Sequence, residues 1–226
     1  MDPHPKRRPR WRLPTGLAAL SLLLLQAYPV KAADHAVAWP DNPASRAEAE
    51  FRLKRLENLL LTQPSATAVL ESWCKTYQIA RDPRVIAERP PAPDKPAPPD
   101  VRTHLRITSG ETIHYRHVRL LCGGQLLSEA DNWYVADRLT TEMNRLLQST
   151  DTPFGRVISA LHFRRTTLSS QVFWSSRSAA PDIRGDLAFP AHVITNEAVL
   201  HAVSGLPIAE VVESYTAGVL GSPPTR

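Results

Sequence analysis

Cysteine, methionine and glycine are scarce in this chain, and the usual catalytic signatures are missing. Among 226 residues only Cys74 and Cys122 are cysteines. Neither lies in a C-x-x-C pair or beside a histidine, which argues against a catalytic thiol. The eight histidines show no H-x-H or H-E-x-x-H spacing, so no metal is expected. There is no glycine-rich phosphate loop and no G-x-S-x-G turn. Basic residues outnumber acidic ones, 27 to 22, but the excess is local. Residues 1–32 carry six basic side chains against Asp2, and the remainder balances 21 with 21. A neutral domain gives no electrostatic footprint for nucleic acid, and none is expected as a partner.

Long apolar runs are also missing. The stretch from Gly16 to Leu25 is about half of a membrane span, which needs roughly 20 residues. It follows Lys6, Arg7, Arg8, Arg10 and Arg12 and precedes Val30-Lys31-Ala32, small residues spaced for cleavage before Ala33. Residues 1–32 therefore read as a signal peptide. Export to the periplasm or beyond is expected, with no membrane span left after cleavage. An oxidising compartment permits a Cys74–Cys122 disulfide; two buried free thiols are the equal alternative.

One domain, 45–221, is expected behind a loose segment at 33–44. Ser45-Arg46-Ala47-Glu48 matches a capping box for a helix over 46–62, with Phe51, Leu53, Leu56, Leu59 and Leu60 on its apolar side. Ser65 caps a second helix over 66–79. Residues 89–100 hold six prolines and read as an extended connector. Period-two patterning then predicts strands at 104–108, 112–122 and 126–135, with a turn at Gly123-Gly124. A helix over 140–148, strands at 155–163 and 164–174, a loop at 175–189 and a hairpin of 191–202 with 207–216 complete the chain. The sum is an α+β domain with a mostly antiparallel sheet.

Candidate chemistry concentrates in residues 115–156. Alternation puts His117, Arg119 and Leu121 on one face of a strand and Arg116 and Val118 on the other. A guanidinium on a half-buried sheet face suits a carboxylate, because its fork donates two parallel hydrogen bonds. From the residues alone, a structural ion pair with a glutamate of the same sheet is the favoured reading. Asp131-Asn132-Trp133-Tyr134 reads as a pocket lining or as cross-strand packing. Thr152-Pro153-Phe154-Gly155-Arg156 allows close backbone approach at Gly155, or is a plain turn. Glu210 and Glu213 are expected on opposite faces, one in solvent and one in the core. The buried one could accept a hydroxyl, move a proton or pair with Arg119.

The order of these segments resembles the bacterial chorismate pyruvate-lyases. They share a strand ending Leu-Leu-Cys, a Thr-Pro-hydrophobic-Gly-Arg segment, and Ser-Gly-x-Pro before a strand with Glu. More distantly it is similar to the effector-binding domains of a large repressor family with the same fold. The resemblance implies an antiparallel sheet flanked by helices that enclose one ligand. It also implies cofactor-free cleavage of chorismate to 4-hydroxybenzoate and pyruvate. It assigns an arginine to the ring carboxylate and a glutamate to the other end, and Glu213 matches the glutamate. Phe154 and Arg156 match the Thr-Pro segment. Aligned on Leu120-Leu121-Cys122, the family's arginine falls at His117, between Arg116 and Arg119, and Arg119 shares its face. Arg119 and Glu213 are thus the expected catalytic pair, with His117, Arg116, Phe154 and Arg156 binding substrate. The alternatives are an exported, non-catalytic binding protein for a small aromatic or carboxylate ligand, and a purely structural protein with a filled core.

Overall fold

The computed structural model describes residues 38–177 and 185–224, together with Met1. The expected signal peptide lies, apart from Met1, outside the described residues. Among the described residues no helix is long and apolar enough to cross a membrane.

Helix α1 (Pro43–Thr62) starts one turn earlier than the capping box implies. Asn42 is the cap, its Oδ1 accepting from the Ser45 N–H at 2.9 Å. Pro43 follows within the first turn, where a missing N–H costs nothing. Ala49, Leu53, Leu56 and Leu60 return every three or four residues and are buried. Each such leucine contributes about 1.5–3 kcal/mol. Phe51 does not join them and is exposed. Helix α2 (Ala66–Thr76) is capped by Ser65 as expected, which accepts from the Ala68 N–H.

The segment before α1 is tied down from Trp39 onward, contrary to the loose segment expected through residue 44. Trp39 is buried, donates from Nε1 to the Gly221 carbonyl at 2.9 Å, and its own carbonyl accepts from Leu187 N–H at 2.7 Å. Arg52 closes the same corner by lying 4.4 Å over the Tyr77 ring and donating to the Leu220 carbonyl at 2.6 Å.

Beyond α2 the elements run β1 (Val85–Glu88), α3 (Pro99–His104), β2 (Ile113–Cys122), β3 (Gln125–Val135), α4 (Thr141–Ser149) and α5 (Phe154–Val157). Then come β4 (Arg164–Val172), β5 (Ile194–His201) and β6 (Pro207–Tyr215). All six strands form one antiparallel sheet, ordered β1-β2-β3-β6-β5-β4. This is the α+β architecture the sequence implies, a sheet flanked by helices.

Two expected strands are not there. Residues 99–104 are helical, because Pro99 falls in the first turn, the one place a helix accepts proline. Residues 155–163 form α5 and a 3-10 turn at Ser159–Leu161, closed by His162 at φ 46. Their apolar run, Val157-Ile158, is buried against α4 and β5 rather than paired in the sheet.

Both sheet faces are covered. On one, α1 and α2 pack Leu53, Leu60, Leu70 and Trp73 over Val118, Leu120 and Tyr215. Alongside, α4 and α5 pack Met143, Leu147, Phe154 and Ile158 over Ala198, Leu200 and Val211. On the other face Val101 and Leu105 meet Trp133, Val135 and Val199. The proline-rich connector lies along this second face as a strap. The Trp133 Nε1–H donates to the Lys95 carbonyl at 3.1 Å, and Lys95 Nζ donates to Asp131 at 2.7 Å. Because neither face is bare, Glu210 and Glu213 are both buried, and the expectation that one meets solvent fails.

Cys74 of α2 and Cys122 of β2 are joined in a disulfide, with Cα atoms 6.6 Å apart, so the free-thiol alternative is set aside. Arg138 clamps another corner, donating to the Leu105 carbonyl at 2.6 Å and from Nε to Glu111 at 2.7 Å. Hydrogen bonds from Arg138 and then from Thr108 pull Glu111 from its ordinary 4.5 to about 2. A depressed folded-state pKa means a contribution complete above pH 4.5 and lost as pH falls towards 2. Glu111→Gln is expected to flatten the acid limb of stability in that window, measured by urea unfolding at stepped pH. An unchanged acid limb would contradict the clamp.

Candidate functional site

The two apolar clusters on the α1/α2 face do not close completely. At their seam lies a cavity of about 30 Å³, walled by Ala66, Thr67, Val118 and Leu120 on one side and Phe154, Phe163, Leu200 and Val211 on the other. Its floor is polar, with Asn132 from β3, Arg165 from β4 and Glu213 from β6. Outside it runs a groove of about 360 Å³ that contains Ser65, Glu71, Arg156 and His162. Pro64, Thr67, Gly155 and Phe163 border both spaces and form the partition between them. Gly155 lets the two sides approach closely there, since a Cβ would come within 3.0 Å of Thr67 Oγ1 and 3.2 Å of Ser65 Oγ. The inner space suits water, which needs at least about 10–15 Å³. A small aromatic ring needs the partition to move.

Glu213 faces this floor, as expected of it. Its Oε2 accepts from Arg165 at 2.6 Å and from the Tyr215 hydroxyl at 3.0 Å. Burial works against the charge on Arg165, and Glu213 beside it outweighs that and holds Arg165 above its ordinary pKa. The Tyr215 phenol is driven well up, first by burial and then by Glu213. Glu213 is therefore a neutralised member of an internal network.

Arg119 is not its partner. Register pairs Val118 with Ala130 and Ala130 with Glu213, so Val118 and Glu213 share a face and Arg119 points to the other. There its Nε lies 3.8 Å from Glu129, the residue opposite it on β3. The ion pair within the sheet, and not the carboxylate receptor, is what Arg119 supplies. His117 follows it to the far face, where Nδ1 meets Asp131 Oδ1 at 2.9 Å beside the Tyr115 hydroxyl and Lys95. The expected Arg119–Glu213 pair and the His117 contact to the same ligand are thus corrected by strand parity. Leu121 is buried on Arg119's face, while Arg119 itself stays partly exposed there.

Arg116 lies on the face where Arg119 was expected. It projects to the Val118 face, is 6% exposed, and among the described residues its side chain makes one hydrogen bond, from NH2 to the Thr152 carbonyl at 3.3 Å. Its Nε and NH1 are buried without a protein partner among the described residues. Burial first, and the nearby Arg89 second, push Arg116 down to about 10. It stands one step beyond the cavity wall. Asn132, its neighbour across β3, lines the cavity and donates to the Arg116 carbonyl at 3.3 Å. Ser128 and Asn196, both fully buried on this face, also keep side-chain polar atoms unmatched, as does Arg165 Nε.

Of the Thr-Pro segment, Phe154 is buried in the cavity wall, 5.6 Å from the Tyr134 ring, while Arg156 faces the outer groove and pairs with Glu71. Asn132 and Tyr134 face the helices, and Asp131 and Trp133 face the strap, so both readings of that tetrapeptide hold, one per face. Arg165, Tyr215 and Asn196 were not singled out from sequence. Arg165 sits on an edge strand of mixed polarity, where nothing in the pattern marks it as buried.

A polar seam roofed by two helices on an antiparallel sheet defines an α+β domain with an enclosed polar interior. No protein-family model matches the chain. It is 41% identical over 194 residues, 82% of each chain, to the uncharacterised protein y4mC of Sinorhizobium fredii, and it belongs to that protein's family. Among solved structures it is similar to PhnF of Mycobacterium smegmatis, with 12% identity, a TM-score of 0.45 and coverage of 79% of this chain and 88% of that one. It is similar also to the effector domain of PhnF, at 12% identity, TM-score 0.43 and coverage of 68% and 88%. The Bacillus subtilis protein YydK, described as a possible transcriptional regulator, gives 15%, 0.38, and 63% and 62%. At these values the likeness gives no residue correspondence.

Proposed function

We propose that this domain binds a small organic anion, a monocarboxylate of about the size of a hydroxybenzoate, between its sheet and its α2/α5 roof. The observation that carries the reading is Arg116, a buried guanidinium with two unmatched donors and no acidic neighbour among the described residues. A buried charge without a counter-charge is costly, and a carboxylate lying along Nε and NH1 would offset that cost with two charged hydrogen bonds. Asn132 and the orphaned Asn196 amide supply further donors and acceptors on the same face. Phe154, Phe163 and Leu200 supply apolar walls for a ring. Entry requires the Pro64–Thr67 and Gly155 partition to part, which joins the inner space to the outer groove.

The geometry favours binding over the lyase reaction. The one carboxylate on the cavity floor is already held by Arg165 and Tyr215. Isothermal titration with 4-hydroxybenzoate tests the binding. Wild type is expected to bind, and Arg116→Met to lose at least about tenfold in affinity, the loss of a charged hydrogen bond. The same substitution is expected to raise stability without ligand by about 1–3 kcal/mol, because an unmatched buried charge is gone. Equal affinity in the two proteins would overturn the assignment. Release of 4-hydroxybenzoate from chorismate by the wild type would restore the lyase reading.

We propose that the domain works in an oxidising compartment, a reading supported by the disulfide and by the leader composition. Residues 1–40 fused to an alkaline phosphatase that works only after export are expected to give active enzyme. An inactive fusion protein retained in the cytoplasm would contradict this.

A further inference from the structure

On the sheet face opposite the cavity, three ligand-bearing side chains from three elements converge. His104 ends α3, Glu197 lies on β5 and Glu210 on β6. One potential ligand atom from each lies within 4.8 Å of the other two. Glu197 and Glu210 are diagonal neighbours, since Val199 is the residue directly opposite Glu210. Glu210 is fully buried; its Oε2 is 2.9 Å from His104 Nδ1, and its Oε1 has no hydrogen-bond partner among the described residues. A buried carboxylate oxygen with no donor, facing a second carboxylate, is a costly arrangement unless a cation or a shared proton resolves it. Burial, opposed by His104 and joined by Glu197, holds Glu210 above its ordinary carboxylate range.

We infer that His104, Glu197 and Glu210 form a site for a divalent transition-metal ion of the zinc class. One imidazole and two carboxylates are a familiar zinc donor set, with a fourth position left for water. The imidazole disfavours magnesium and calcium, which prefer oxygen alone. Zinc ligands stand about 2.0–2.2 Å from the ion, so ligand atoms this close need only small side-chain adjustments. The ion would replace the His104–Glu210 hydrogen bond and latch α3, with the proline-rich strap behind it, onto β5 and β6. The spacing of histidines in the sequence gives no sign of this, because His104 and Glu210 are 106 residues apart.

The test is titration of untagged, chelator-treated protein with zinc, followed by calorimetry and by the visible absorption of the cobalt form. One ion per chain is expected, together with a rise in melting temperature on adding zinc. His104→Ala and Glu197→Gln, both at partly exposed positions, are each expected to weaken binding at least about tenfold and to abolish the melting-temperature rise. Glu210→Gln is expected to do the same if it folds. Three results would overturn the inference. These are no saturable zinc binding up to about 1 mM, unchanged affinity in the His104 and Glu197 variants, and calcium or magnesium binding as tightly as zinc.

Discussion

Glu213→Gln is expected to cost about 3–5 kcal/mol in urea unfolding, among the largest single-residue effects in the domain. The substitution keeps the shape but removes the negative charge from a site where Arg165, its side chain 3% exposed, has no other acid paired with it among the described residues. It also weakens the acceptor of the Tyr215 hydroxyl. The magnitude comes from leaving a guanidinium buried and uncompensated, not from the worth of one ion pair. Removing both charges should therefore hurt less than removing one. Arg165→Met with Glu213→Leu is expected to recover most of the loss. A loss under about 1 kcal/mol for Glu213→Gln would mean that the pair is hydrated and exchangeable. Glu213 would then be free to meet a ligand, and the lyase reading would gain.

Replacing Cys74 and Cys122 with serine is expected to lower stability by about 2–5 kcal/mol. The bond links α2 to β2 across a sequence separation of 48, so it removes a large share of the freedom of the unfolded chain. It also fixes one end of the helix that roofs the cavity. The check is the urea midpoint of wild type with and without reductant, beside that of the double-serine protein. A reductant-insensitive wild type with the midpoint of the double-serine form would show that the thiols are not joined, and the oxidising compartment would lose its support.

The sheet itself was legible because hairpins leave a strong local trace. Gly123-Gly124 between two period-two runs placed β2 and β3 to within a residue, and Ser204-Gly205 did the same for β6, while β5 starts three residues later than expected. Ser65 announced α2 through its cap, and the apolar spacing of Met143, Leu146 and Leu147 announced α4. Short elements failed. The four residues of β1 carry too little period to stand out, and α3 was hidden by the prolines that start it. The site was half legible. Alternation divides Arg116 from His117 and Arg119 correctly, but it cannot say which face lies beneath α1 and α2. That depends on where helices distant in sequence dock. The choice of Arg119 rested on its sharing a face with His117, where the family's arginine aligns, and that face lies under the strap and α3 rather than under α1 and α2. Glu213 was found through its match to the glutamate of the resembled family, while Arg165 and the His104–Glu197–Glu210 group depend on contacts between strands and a helix that no local pattern encodes.

The most direct test of a carboxylate receptor at Arg116 is a crystal structure of the protein grown with 4-hydroxybenzoate. The expected result is the ligand carboxylate on Arg116 Nε and NH1, its ring against Phe154, and the Pro64–Thr67 segment moved away from Gly155. A ligand held elsewhere, or a seam that stays shut around Arg116 at saturating ligand, would contradict it.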